Sequence, residues 1–256
     1  AVVVYLISSI ASADAASWLE NRYLAFDTAM ETVAGVVADE EVYSKSWRQP
    51  PRKESLDLPH SVGLSAISRV GGSYYFVADT SYTLNGELIT PRDVILRTAT
   101  GVSSVFLRGR DIGLADSVKI VALAFDGSAI LFSTDSTSSI GSVLASPADI
   151  IRWDGSTVSI AYSAGRLGIS KGVGVSALER LSNGRLLLSV NSSSRFEGFV
   201  ATPGDVLEFN PADNRMELNR TAAQLASVCN PCAISALAAD GPADALLRSG
   251  FENFEE

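Results

Sequence analysis

One stretch of this sequence occurs three times at intervals of 56 residues. The copies read VADTSYTLNGELITPRDVI, STDSTSSIGSVLASPADII and SVNSSSRFEGFVATPGDVL, and they begin at Val77, Ser133 and Ser189. A chain with repeats of this size buries the apolar face of each unit against its neighbours. The sequence therefore predicts one domain built from similar units packed side by side.

Two acidic positions, 14 residues apart, mark every unit. A weaker fourth copy, FDTAMETVAGVVADEEVY, precedes the other three and has Asp39 in place of the proline that stands two positions before the second acid. The first acidic position is occupied by Asp27, Asp79, Asp135 and Asn191, and the second by Glu41, Asp93, Asp149 and Asp205. These eight residues are the candidate metal ligands of the chain.

Short apolar runs and glycine-containing turns predict strands. Pairs such as Gly71-Gly72, Asp126-Gly127 and Asn183-Gly184 separate apolar runs, and such pairs suit hairpin turns because both central residues need positive φ. Four short strands every 52 to 56 residues are typical of a propeller blade. We predict an all-β fold, a β-propeller or propeller-like domain of four repeats over residues 16–226, with a flat β-solenoid as the alternative.

Residues 227–256 depart from the repeat pattern. They contain Ile234-Ser235-Ala236-Leu237, which is similar to Val175-Ser176-Ala177-Leu178 in the last full repeat. This similarity predicts a partial fifth repeat that completes or caps the domain. The alanine-rich spacing fits equally a short helix on the last unit.

The repeated acids have two interpretations. Carboxylate and carbonyl oxygens are the ligands that Ca²⁺ prefers, so each unit could hold one ion. Alternatively, an Asp or Asn followed by Ser or Thr accepts backbone hydrogen bonds in a turn that every blade needs. No other cofactor is indicated, because the sequence has no glycine-rich phosphate loop in a strand-turn-helix context.

The remaining candidate residues are few. Cys229 and Cys232 form a C-x2-C pair, and with His60 as the only histidine a local disulfide is favoured over a zinc site. His60 itself is predicted to lie in a turn. The aromatic residues fit core packing better than a carbohydrate or peptide groove; they are Trp18, Trp47, Trp153, Tyr74, Tyr75 and Tyr82.

Charge and the first residues bear on partners and location. A net charge of -9 repels a phosphate backbone, so nucleic acid is excluded as a partner. Residues 1–15, AVVVYLISSIASADA, have the apolar run and A-x-A ending of a truncated secretory signal peptide; the alternative is a strand of an incomplete preceding repeat. That run is too short for a transmembrane segment.

The repeat unit, A-L-x(n)-G-x-L-L-S-x-D followed by P-x-D-V-[IL], resembles a poorly characterised group of exported bacterial β-propeller-like proteins. The sequence LLRSGFE, Leu246 to Glu252, resembles the short G-F-E tails of exported proteobacterial proteins, although here Asn253 to Glu256 follow it. The resemblance implies a propeller-like fold and a secreted, periplasmic or cell-surface location in a bacterium. It transfers no catalytic residue.

These observations favour a non-enzymatic binding protein or surface scaffold. Its partner would be an unidentified protein, peptide or carbohydrate. The alternatives are a metal-dependent, lactonase-like propeller hydrolase, in which acids from several blades meet at the axis, and a protein that binds calcium in each blade.

Overall fold

The computed structural model describes residues 52–221 continuously, with side chains from residue 55. It also describes the backbone of five strands outside this range. These strands are β1 (Arg22–Phe26), β2 (Met30–Thr32), β3 (Gly35–Val37), β4 (Glu41–Lys45) and β24 (Ile234–Gly241).

The continuous part consists of short strands and two single turns of helix. A 3₁₀ turn covers Gly109–Ile112, and a four-residue helix, α1, covers Ala164–Leu167. Its first ten strands are β5 (Arg52–Ser55), β6 (Leu64–Val70), β7 (Ser73–Ala78), β8 (Tyr82–Leu84), β9 (Glu87–Ile89), β10 (Val94–Arg97), β11 (Ser103–Leu107), β12 (Ile120–Asp126), β13 (Ala129–Thr134) and β14 (Ser138–Ile140). The others are β15 (Val143–Ala145), β16 (Ile150–Trp153), β17 (Val158–Tyr162), β18 (Val175–Arg180), β19 (Leu186–Val190), β20 (Ser194–Phe196), β21 (Phe199–Ala201), β22 (Val206–Asn210) and β23 (Arg215–Arg220).

The strands form four similar four-stranded antiparallel units, which we call blades 1 to 4; a parallel pairing of β24 with β6 joins blades 1 and 2 into one eight-stranded sheet. From the inner to the outer strand they are β24-β1-β4-β5, β6-β7-β10-β11, β12-β13-β16-β17 and β18-β19-β22-β23. The prediction of four strands per unit is confirmed. Each blade also carries a small hairpin between its second and third strands, where the sequence suggested only a loop rich in Ser and Thr.

The inner strands close a ring. Strand β24 contacts β6, β6 contacts β12, β12 contacts β18, and β18 contacts β24. Strand β24 pairs antiparallel with β1, with Leu237 opposite Leu24, so it supplies the inner strand that blade 1 otherwise lacks. The fold is a four-bladed propeller. The segment Ile234–Leu237 is therefore part of a strand that completes the first unit. It is similar in sequence to Val175–Leu178 because both segments belong to inner strands.

The glycine turns lie where the pattern predicted them. Gly72 and Gly127, between the first and second strands of blades 2 and 3, have φ of 83° and 62°, which glycine adopts without steric cost. In the Asp154-Gly155 turn, Asp154 accepts hydrogen bonds from Ser156 and Thr157. These hydrogen bonds hold the pKa of Asp154 below its usual range, and those from Thr157 have the largest effect.

Neighbouring blades share an apolar core and a few polar links. Phe132 is fully buried between blades 2 and 3, and Phe209 between blades 3 and 4. The Pro91 carbonyl accepts the Ile120 N–H of the next blade at 3.0 Å, and the Pro147 carbonyl accepts the Val175 N–H at 2.9 Å. Blade 2 is thereby tied to blade 3, and blade 3 to blade 4, by the loop that contains the repeated proline.

Candidate functional site

The first acidic position of each described unit closes the inner pair of strands. Asp79, Asp135 and Asn191 each directly follow the second strand of a blade, and each side-chain oxygen accepts the backbone N–H of the residue before the inner strand. The donors are Gly63 (2.8 Å), Lys119 (2.9 Å) and Gly174 (2.8 Å). The backbone N–H of the Asp or Asn returns a bond to the carbonyl of the same residue. We call this arrangement the inner clamp.

The second acidic position closes the outer pair of strands. Asp93, Asp149 and Asp205 each directly precede the third strand, and one carboxylate oxygen accepts both the N–H and the hydroxyl of the Ser or Thr three residues earlier. The other oxygen of Asp93 accepts the Gly109 N–H at 3.0 Å, and that of Asp149 accepts the Ala164 N–H at 2.7 Å. We call this arrangement the outer clamp.

Both clamps lie at the same end of a blade, because the second strand ends where the antiparallel third strand begins. The side-chain oxygen of the inner clamp accepts from the residue before the inner strand. The oxygens of the outer clamp accept instead from the Ser or Thr three residues earlier and, for Asp93 and Asp149, from the connection after the fourth strand. Asp93 and Asp205 are only 3% and 5% exposed. Among the residues that the structure describes, no group of three His, Cys, Asp or Glu side chains could hold a metal ion. The hydrogen bonds are those that the turn interpretation requires, and calcium binding stays a prediction.

Several predicted residues fall outside the described part of the chain. Asp27, Trp18, Trp47, Cys229, Cys232 and residues 1–15 lie there, as does the side chain of Glu41. His60 is exposed in a turn that the Val62 N–H closes on the Pro59 carbonyl at 2.9 Å. The described aromatic residues pack in the protein: Tyr74, Tyr75 and Tyr82 are buried, and Trp153 lies against the core between blades 2 and 3.

A cavity of about 270 Å³ lies where three of the four inner strands end. We call it the axial pocket. Strand β6 contributes Ser68 and Arg69, β12 contributes Phe125 and Asp126, and β18 contributes Glu179 and Arg180. Residues from three blades line this pocket, and a concave site with a few convergent polar groups is the default candidate for a ligand site.

The axial pocket carries charges of both signs. Glu179 is only 4% exposed. Arg180 donates from Nε to Asp126 Oδ1 at 3.0 Å, which joins blades 3 and 4. The Arg69 guanidinium lies 5.2 Å from the centre of the Tyr74 ring. The Glu179 carboxylate is the buried charge among these groups. Its desolvation costs free energy unless cations or hydrogen-bond donors contact it.

The repeat did not reveal this pocket because the pocket lies where the repeats differ. Ser68, Ala124 and Glu179 follow the matched segments Ser65-Ala66-Ile67, Val121-Ala122-Leu123 and Ser176-Ala177-Leu178. One signal was available: Glu179 places a charge at a position where the neighbouring units have the uncharged residues Ser68 and Ala124. Charged residues are almost never fully buried unless paired or functional.

Comparison with known proteins shows no family for this chain. It matches no protein-family model and no curated protein. The solved structures that it resembles are propeller-like. The extracellular domain of a one-component system, BT4673, from B. thetaiotaomicron is 7% identical, with a TM-score of 0.35 over 86% of this chain and 29% of that chain.

Two other solved structures resemble the chain to a similar degree. Streptogramin B lyase is 11% identical, with a TM-score of 0.35 over 77% of this chain and 70% of that chain. YCF48 bound to D1 peptide is 11% identical, with a TM-score of 0.32 over 84% and 72%. The chain thus spans less than a third of the length of the BT4673 domain. Neither of its described helical turns is long enough to cross a bilayer.

Proposed function

We propose that this propeller is an exported binding protein and that the axial pocket holds its ligand. The observation that carries the proposal is the buried carboxylate of Glu179 in a cavity that also contains Arg69 and Arg180. The proposal of export rests on the apolar segment at residues 1–15 and on the resemblance described above.

The size of the pocket limits the ligand to a small molecule. A volume of about 270 Å³ corresponds to roughly nine water molecules at about 30 Å³ each. This lies just below the usual range of drug-sized pockets. An amino acid or a molecule of similar size would fill it.

The charges of the pocket favour a zwitterion. A guanidinium group binds a carboxylate with two parallel hydrogen bonds, which is a role for Arg69 or Arg180. The Glu179 carboxylate would in turn accept from an ammonium group. The ring of Phe125 forms an apolar part of the wall, which would contact the carbon atoms of the ligand.

We expect at least one of the twenty standard amino acids to raise the unfolding midpoint of the full chain. A ligand at a hundredfold excess over its Kd stabilises the folded state by about 2.7 kcal/mol. For a chain of this size, each kcal/mol of stabilisation raises the unfolding midpoint by about 2 to 4 °C. Thermal unfolding in the presence of each amino acid measures this effect. Calorimetric titration then gives the Kd of any amino acid that raises the midpoint.

The matched variants are Glu179→Gln in the pocket and Asp111→Asn on the exposed 3₁₀ turn before blade 3. Glu179→Gln should abolish the stabilisation, and Asp111→Asn should leave it unchanged. If no amino acid shifts the midpoint, or if both variants respond like the unsubstituted protein, the proposed site is wrong.

A second unfolding experiment tests calcium. We expect the curves with Ca²⁺ and with excess EDTA to superimpose, because the described carboxylates at the acidic positions already accept hydrogen bonds from the chain. Calcium held in each blade would instead lower the midpoint in EDTA by several degrees. That result would support the calcium alternative and reopen the metal-dependent hydrolase.

A further inference from the structure

A groove of about 1030 Å³ runs along the outside of blade 4. We call it the β23 groove. Its walls are helix α1, the tip of the hairpin β20–β21, and the chain from Asp213 to Leu218. The axial pocket lies at the ends of the inner strands, so the two cavities share no lining residue.

The β23 groove follows the open edge of a strand. Among the described strands, β23 pairs with β22 and with no other. Successive residues of a strand point to opposite faces of its sheet, yet every residue from Arg215 to Leu218 lines the groove. The groove must therefore run beside the backbone edge, where alternate N–H and C=O groups point away from β22.

Apolar side chains form the floor. The rings of Phe196 and Phe199 are stacked, with centroids 5.0 Å apart and planes at 14°. Met216 and Leu218 are half-buried against the core between blades 3 and 4, and Leu167 is buried beneath α1. A floor of this kind offers contacts to alternate side chains of an extended peptide.

The rim has an excess of negative charge. Three carboxylates, from Glu197, Asp213 and Glu217, face two guanidinium groups. Arg215 is paired with Glu217 at 3.1 Å. Arg166 donates to Asn214 and to the Pro211 carbonyl, and its guanidinium lies 5.0 Å from the centre of the Tyr162 ring. Arg166 is thus engaged within the protein, and Arg215 and Glu217 neutralise each other. The net charge of the rim is negative, and a ligand with basic side chains complements it.

We propose that the β23 groove binds an extended segment of a partner protein, with alternating apolar and basic residues, as a fifth strand of blade 4. The backbone of the segment pairs with the edge of β23, its apolar side chains contact the Phe196–Phe199 floor, and its basic side chains approach Glu197 and Glu217. Strand addition of this kind takes its affinity from main-chain hydrogen bonds and its specificity from alternate side chains.

Three fluorescein-labelled octapeptides test the proposal in fluorescence polarisation with the full chain at physiological salt. The first alternates valine and lysine, the second is the same sequence with N-methyl groups on alternate residues, and the third alternates valine and glutamate. We expect saturable binding of the valine–lysine peptide and at least about tenfold weaker binding of the other two, a difference of about 1.4 kcal/mol in binding free energy. The N-methylated peptide has the same charge, so it separates strand pairing from general attraction to an acidic protein.

A charge-reversed variant gives the matched test in the protein. Glu197→Lys/Glu217→Lys should weaken the valine–lysine peptide and bind the valine–glutamate peptide more tightly, a gain that an unfolded variant does not produce. Asp111→Lys, on the exposed 3₁₀ turn before blade 3, is the control and should change neither. Equal binding of the normal and N-methylated peptides, or no saturable binding of the valine–lysine peptide, overturns the proposal.

Discussion

Replacing Gly109 by alanine is expected to lower the free energy of unfolding by about 3 kcal/mol, the upper end of the usual cost of overpacking. A Cβ at this position would overlap the Arg92 carbonyl oxygen and lie 2.8 Å from both Cβ and Cγ of Arg92. The backbone cannot move away freely, because the Gly109 N–H is held by Asp93 in the outer clamp at 3.0 Å. Urea unfolding of the full chain measures the loss.

Gly165 provides the matched control, since it lies in the corresponding connection one unit later, in helix α1. A Cβ on Gly165 meets nothing within 4 Å. Gly165→Ala should leave stability unchanged or raise it by up to about 1 kcal/mol, because alanine restricts the unfolded chain. If the two alanine variants unfold at the same urea concentration, the close approach of Gly109 to Arg92 is not a constraint on the fold.

Replacing Asp93 by alanine is expected to cost about 3 kcal/mol or more, since removal of one partner leaves buried polar groups unmatched. The carboxylate accepts from the Thr90 N–H and hydroxyl at 2.9 Å each, from Gly109, and from Arg108 Nη1 at 3.3 Å. With 3% of Asp93 exposed, water cannot readily replace the lost acceptor. Thermal and urea unfolding should agree on the loss.

The controls separate the clamp from general charge effects. Asp111→Ala removes an exposed carboxylate whose contact is Arg110 at 3.5 Å, and such a surface pair contributes little. Asp93→Asn keeps acceptor oxygen but loses the charge, so its stability should lie between those of Asp93→Ala and the unsubstituted protein. An Asp93→Ala variant as stable as Asp111→Ala would contradict a structural role for the outer clamp.

The sequence predicted the architecture because local chemistry is repeated in it. The turns at Gly72 and Gly127 need positive φ, and the acids at the clamp positions need fixed spacing to reach their backbone donors. The small hairpins were missed. Their strands are three residues long, and the first strand of each hairpin contains Ser or Thr, residues that are equally common in loops.

The repeat indicated an additional strand at Ile234–Leu237, but neither the partner of that strand nor the two cavities could be predicted from the repeat. Pairing of β24 with β1 joins Leu237 to Leu24, and no local pattern specifies a partner so distant in sequence. The axial pocket depends on Glu179, and the β23 groove on Phe196 and Phe199; these residues differ from those at the same positions of the other units. The repeat pattern shows the turn and clamp residues that the blades share. The residues that distinguish the two cavities, Glu179, Phe196 and Phe199, lie in blade 4 alone.

The assembly of blade 1 from two distant segments affects how this protein acquires its structure. Blades 2, 3 and 4 each consist of strands consecutive in the chain, so each can form from short-range contacts soon after its synthesis. Blade 1 has to wait, because its inner strand is made only after blades 2, 3 and 4. Until β24 is paired, the exposed edges of β1 and β6 can pair with other molecules. The pairing of β24 is therefore the step at which the ring becomes protected from misassembly.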